Sequence, residues 1–180
     1  MKPITVVTAP SRSGTSLTMQ MLLAAGMNVL WDRLPNRQPW NVRGFYEWAD
    51  PSKLTLDHHG MAVKVMANRL ENLPDLRADF APDSPYRFIC LLRNPACVEE
   101  SMAHCASMRG KEMSDAHNAA KWQQFALGYI SNFPHIIVGF NELFDGTGPE
   151  KIGKFLNRDS LEVAKMKDCV DPEMWHFKPQ

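Results

Sequence analysis

Apolar residues along this chain fall into short β-branched runs separated by longer helical patterns. Ile4-Thr5-Val6-Val7-Thr8 lies between Pro3 and Pro10 and reads as a strand buried on both faces. Residues 15–25 follow as an apolar helical segment closed by Gly26. From 29 to 57 the pattern breaks: Pro35, Pro39 and Pro51, interspersed with Trp31, Trp40, Phe45, Tyr46 and Trp48, predict a packed loop rather than regular structure. Met61-Ala62-Val63-Lys64-Val65-Met66 reads as a second strand and Arg87-Phe88-Ile89-Cys90-Leu91-Leu92 as a third, apolar enough to be central. Helices are predicted over 95–108, opened by Pro95, and over 113–132; a fourth strand covers 135–140 and a last helix 149–156.

Strands alternating with helices, through connections too long for hairpins, predict an α/β fold of three layers, with a mainly parallel central sheet flanked by helices. Such sheets bind ligands beyond the carboxyl ends of their strands. No repeat, low-complexity stretch or linker divides the 180 residues, so a single domain is expected.

Charge changes this picture little. Twenty basic and twenty acidic side chains cancel, which leaves no global field to draw the chain onto nucleic acid or an anionic membrane, so any anion site must be local. The N-terminus reaches the polar Pro10-Ser11-Arg12-Ser13 turn too soon for a signal peptide, and the apolar stretch 18–27 is too short to span a bilayer. A soluble, cytoplasmic protein is expected. Cys90, Cys97, Cys105 and Cys169 form no CxxC pair and read as free thiols; His58 and His59 are adjacent and diverge on a helix or strand, so no metal is expected.

The chemistry concentrates in two motifs. Ser11-Arg12-Ser13-Gly14-Thr15-Ser16 joins the first strand to a helix N-terminus, where unpaired backbone N–H groups can converge on an anion. Arg12 adds bidentate donors, and Ser13, Thr15 and Ser16 add hydroxyls. The plainer alternative is a serine cap on a core helix beside a solvated arginine. A nucleoside triphosphatase loop would carry lysine after its last glycine, whereas Thr15 follows Gly14 directly. In the second motif, Leu91-Leu92-Arg93-Asn94-Pro95 ends the third strand, and Ser101 lies eight residues beyond Arg93 in the next helix. If the chain reverses at Asn94-Pro95, arginine and hydroxyl can grip one phosphate from two sides.

The Arg-Ser-Gly-Thr-Ser string resembles the 5′-phosphosulfate loop of sulfotransferases that use 3′-phosphoadenosine 5′-phosphosulfate (PAPS), and Arg93 with Ser101 resembles their 3′-phosphate site. The resemblance extends, particularly to small bacterial sulfotransferase-like proteins, through Asn41-Val42-Arg43-Gly44-Phe45-Tyr46-Glu47, Ala62-Val63-Lys64-Val65, Asn141-Glu142-Leu143 and Val170-Asp171-Pro172. Ala9 and Ser11 stand where family loops commonly carry glycine and proline. The resemblance implies PAPS as sulfate donor without a metal, held by Arg12, Ser13, Gly14, Thr15, Ser16, Arg93 and Ser101, with Arg109 in a basic turn closing over the 3′-phosphate. Acceptors of this family carry a hydroxyl or amine on a small molecule, carbohydrate or peptide.

Sulfuryl transfer needs in-line positioning, a base, and stabilisation of charge on the leaving oxygen. Arg12, with Lys64 at the end of the second strand, is the candidate for the leaving-group charge. Lys64 reads equally as a strand lysine whose amine snorkels to solvent. Glu47, in the aromatic loop, is the first candidate base; His58 and His59 come next. The aromatics of that loop read as core anchors in preference to an acceptor wall or an adenine stack. The acceptor pocket is expected from the 31–57 loop, the 67–85 connection and possible residues of a second copy in a homo-oligomer. Two other functions stay open: a nucleotide-dependent phosphotransferase or hydrolase using the same loop, and a nucleotide-binding module without turnover.

Overall fold

Five strands form one sheet in the order β2-β3-β1-β4-β5, every neighbouring pair parallel: β1 (Ile4–Thr8), β2 (Val29–Leu30), β3 (Ala62–Lys64), β4 (Tyr86–Leu92) and β5 (His135–Gly139). This computed structural model describes residues 1–31, 46–48, 50–80, 83–108 and 118–171. Helices α1 (Thr15–Ala24), α2 (Arg77–Phe80), α3 (Pro95–Met108), α4 (Ala119–Ile130), α5 (Glu142–Asp145), α6 (Thr147–Leu156) and α7 (Ser160–Lys167) connect or follow the strands. Among the described residues no helix is long and apolar enough to cross a membrane.

The pleat sorts side chains to two faces, as a period of two requires. On β4, Ile89 and Leu91 join Val7, Ala62 and Val138 against Met19, Met21 and Leu22 of α1 and Ile152 and Leu156 of α6. Tyr86, Phe88 and Cys90 join Ile4, Val6 and Val63 on the opposite face, against Ala126 and Ile130 of α4. Both layers are shielded from water, and each fully buried leucine, isoleucine or phenylalanine contributes about 1.5–3 kcal/mol. This is the three-layer α/β arrangement that the alternation of apolar runs predicts.

Strand order places the functional end of the sheet. The chain leaves β1 for β2 and β3 on one side and returns for β4 and β5 on the other, so β1 sits at a topological switch with a crevice beyond its carboxyl end. The register Val7↔Lys64 and Thr8↔Cys90 brings the end of β3 to that crevice and carries β4 two residues past the end of β1, to Leu92.

Local departures from expectation have visible causes. Val29–Leu30 forms a two-residue strand beside Ala62 and Val63 where only loop is expected. The second strand is regular only over Ala62–Lys64, although the N–H groups of Val65 and Ala67 still donate to the carbonyls of Val7 (3.0 Å) and Ala9 (3.1 Å). Helix α4 ends at Ile130, two residues before its expected limit, and α2, α5 and α7 are additional. The cysteines are free thiols, Cys90 and Cys105 buried.

Candidate functional site

The turn between β1 and α1 is built by two left-handed residues, Arg12 (φ 66°) and Gly14 (φ 91°). Gly14 precedes the first turn of α1, which carries no acidic residue and receives no side-chain cap, so its leading N–H groups remain available for an anion. Two hydroxyls at this point, Thr8 Oγ1 and Ser13 Oγ, are fully buried without a hydrogen-bond partner. Unsatisfied buried hydroxyls are costly, and two together at a switch point mark a place that a polar ligand completes. Gly14 is required conformationally, and a Cβ there would stand 2.6 Å from Leu143 Cδ1 of α5, a side-chain end that would have to shift. Gly14→Ala is therefore expected to lose about 2–4 kcal/mol from left-handed strain and the clash. An unchanged urea midpoint would contradict this account of the turn.

The two sequence motifs meet here. Arg12 Nε donates to Ser101 Oγ of α3 (3.1 Å), and Arg93 Nη1, just beyond β4, donates to the Arg12 carbonyl (2.6 Å). The reversal between Arg93 and Ser101 is sharp because Asn94 Oδ1 accepts from the Ala96 N–H (3.0 Å) and Pro95 opens the helix. Arg93 lies 4.0 Å from the centroid of the Phe140 ring. Burial pushes its pKa down, with smaller opposing contributions from Cys97 and Glu100 and a further lowering from Arg12. Neither Arg12 nor Arg93 forms an ion pair with a carboxylate among the described residues. Two neighbouring guanidiniums with no carboxylate paired to them among the described residues favour a ligand that brings negative charge.

A second cluster lies across the loop. Lys64, on the α1 side of the sheet, donates to Ser16 Oγ (3.4 Å), and its Nζ is 3.6 Å from Glu47 Oε1; the lysine side chain is 3% exposed and the carboxylate 65%. Lys64 thus does not snorkel out to water. Burial lowers its pKa from 10.5 to about 8, against the opposing pull of Glu47. The unfolded chain keeps this proton to about pH 10.5 and the folded chain releases it near 8, so the folded state is penalised at low pH and gains stability as pH rises through that window. The expected gain is up to about 3 kcal/mol, read as the difference between wild-type and Lys64→Met urea curves from pH 7 to 10.5. Parallel curves would exclude the shifted amine.

The remaining candidates separate. His58 closes a short 3-10 turn, where its Nδ1 accepts from the Thr55 N–H (3.0 Å) and its ring meets Trp48 edge-on at 5.7 Å. That ring is committed to local structure, as is His59, whose Nδ1 pairs with the Leu56 carbonyl (3.0 Å). Tyr46 and Trp48 pack against opposite core layers, as anchors would, and Trp31 meets Tyr46 edge-on. Arg109, Trp40, Phe45 and the 41–45 segment lie outside the described residues. Sequence reasoning missed Phe140, which supports Arg93 from beyond β5 and which only its position just after a parallel strand could have pointed to; Leu143, in the Asn141-Glu142-Leu143 segment that carries the resemblance, packs beside Gly14.

Two solved structures share this fold. The chain superposes with a TM-score of 0.58 and 13% identity on a retinol dehydratase in complex with androsterone and the inactive cofactor PAP, over 97% of this chain and 66% of that one. On a sulfotransferase domain from the curacin biosynthetic pathway the TM-score is 0.52 at 13% identity, over 100% of this chain and 79% of that one. The chain shares its fold with that sulfotransferase domain. No protein-family model matches the sequence, and no curated protein matches it. The chain spans just under two thirds of the retinol dehydratase's length. In this fold the Arg12 loop occupies the switch point beside β1, with Arg93 and Ser101 on the β4 side and Lys64 on the β3 side.

Proposed function

We propose that this chain is a PAPS-dependent sulfotransferase, a single domain that moves a sulfuryl group to a hydroxyl or amine acceptor. The observation that carries the reading is the convergence of Arg12, Ser101 and Arg93 beside an uncapped α1 and the orphaned Ser13 hydroxyl. Donor and residues fit: Ser13, Gly14, Thr15 and Ser16 offer backbone and hydroxyl donors to a 5′-phosphosulfate, while Arg93 and Ser101 offer a cation and a hydroxyl to a 3′-phosphate. When bound, PAPS supplies the sulfuryl group: its S–O bond to the 5′-phosphate breaks as the acceptor–sulfur bond forms, and adenosine 3′,5′-bisphosphate (PAP) leaves with the electron pair. Arg12 holds the charge gathering at the leaving oxygen without having to give up a proton. Lys64, buried and joined to Ser16, adds a second positive charge from the β3 side. Glu47 accepts the acceptor's proton; its carboxylate is exposed, so it can meet an incoming molecule, and Lys64 anchors it to the site.

The test is calorimetric titration with PAP and with ADP, both without magnesium. PAP is expected to bind at least about tenfold tighter than ADP, the value of one charge-assisted phosphate contact. Arg93→Ala is expected to bring the two affinities within about threefold by removing the 3′-phosphate's guanidinium. Equal or tighter binding of ADP would favour a phosphotransferase or hydrolase. Absence of binding to either nucleotide would end the sulfotransferase reading.

A further inference from the structure

A pocket opens beside the loop, and its walls share backbone with the proposed transfer site at three points. Pro10 and Ser11 run directly into Arg12; Met66 lies two residues beyond Lys64; Met102 follows Ser101 on α3. Trp122 and Ala119 of α4 close the far side, and Asn68 stands at the rim.

None of the described residues lining this pocket carries a charge. Lys121 lies 5.2 Å from the centroid of the Trp122 ring but does not belong to the lining. An acceptor entering here exchanges water for two thioethers, an indole, and the alanine and proline side chains. Among the described lining residues, the Ser11 hydroxyl, the Asn68 amide and the Trp122 indole N–H are the side-chain groups able to replace lost hydrogen bonds. A carboxylate, ammonium or polyhydroxylated sugar would leave most of its hydration uncompensated. An aromatic or aliphatic body loses nothing on entry, gains contact with the Trp122 ring, and is accommodated by the unbranched, adaptable methionines.

Resting on the sulfotransferase reading, we infer that the acceptor is an uncharged, largely apolar alcohol or phenol whose body lies between Met66, Met102 and Trp122. Its hydroxyl faces the Arg12 loop. Ser11 and Asn68 orient it, and the charged groups of the site stay outside the body's pocket.

Three acceptors separate the possibilities. 4-Ethylphenol and 4-hydroxyphenylacetate are nearly isosteric but differ by a carboxylate, and glucosamine is polar and cationic. Binding of each to the PAP-saturated chain is measured by calorimetry, and transfer from PAPS by kcat/KM. 4-Ethylphenol is expected to bind and to react at least about tenfold better than the other two. Met102→Glu, which puts a charge into the apolar wall, is expected to cut its affinity about tenfold or more, with PAP affinity held within twofold. Trp122→Ala is the second variant, expected to weaken 4-ethylphenol by several-fold through lost ring contact. Preference for the anion or the sugar, or indifference of 4-ethylphenol to both substitutions, overturns the inference. If PAP binds and 4-ethylphenol does not, the acceptor assignment alone falls. If PAP itself does not bind, the sulfotransferase reading falls and takes the acceptor assignment with it.

Discussion

Arg12→Ala is expected to slow sulfuryl transfer by about 10²–10³-fold, the usual loss when one preorganised donor to developing charge is removed. Three features make this residue hard to replace. Its backbone is left-handed, its carbonyl is held by Arg93, and its side chain is tied to Ser101, so the guanidinium enters the site already oriented. Alanine keeps the backbone position and the Arg93 contact to the carbonyl, so the loop should survive and PAP should still bind, about tenfold more weakly for the lost charge-assisted contact. Arg12→Lys should recover only part of the rate, because an ammonium cannot reproduce a planar fork of donors. Single-turnover transfer with saturating PAPS separates the two effects. A rate within threefold of wild type would remove Arg12 from the chemistry.

How far this loop could be read from sequence follows from what specifies it. Ile4-Thr5-Val6-Val7-Thr8 has no polar alternative as a strand, and the small residues after Pro10 admit little besides a turn into a helix, so β1, the loop and α1 were legible almost to the residue. Likewise β4 differs from the apolar run by Tyr86 alone. Val29–Leu30 was not legible: two residues carry no alternation, and their strand character comes from pairing with Ala62 and Val63, 33 positions away. Helix α7 hides its apolar side in Met166 while Leu161 is exposed. Its start was written in the capping box of Asp159 and Glu162, whose side chains exchange hydrogen bonds with each other's N–H groups, a signal independent of hydrophobic period.

The same distinction applies to the site. Arg12 belonged to one motif and Arg93 and Ser101 to another, and chain order alone could suggest that they meet; the parallel pairing of β1 with β4 brings them together. Glu47 and Lys64 lie in segments of different character, one aromatic loop and one strand, and no local pattern links them. Their proximity depends on Lys64 facing α1, which follows from the parity of β3, and on the chain carrying Glu47 to that end of the sheet.

Glu47→Gln tests that pairing and is expected to lower kcat by about 10²–10⁴-fold, the contribution of a positioned general base, with PAP affinity unchanged because the carboxylate is not among the donor's proposed partners. The substitution also removes the group that raises the Lys64 pKa, leaving burial unopposed, so the amine should lose its proton below pH 8. Two consequences follow with definite signs. In the wild type, kcat/KM for PAPS should fall as pH rises through about 8, where free Lys64 becomes neutral; in Glu47→Gln that alkaline limb should move to lower pH. The stability gained on raising pH should begin correspondingly earlier. If Glu47 served only to hold Lys64, both shifts would appear while kcat at pH 7 stayed within a few-fold of wild type. If His58 were the base, His58→Asn would carry the large loss in kcat and Glu47→Gln would not. The Asn Oδ1 can stand in for Nδ1 as acceptor of the Thr55 N–H, so the turn and the urea stability should be kept. Only a large loss in kcat together with the displaced alkaline limb assigns proton removal to Glu47 and charge compensation to Lys64, because a purely structural ion pair moves the limb without removing the rate.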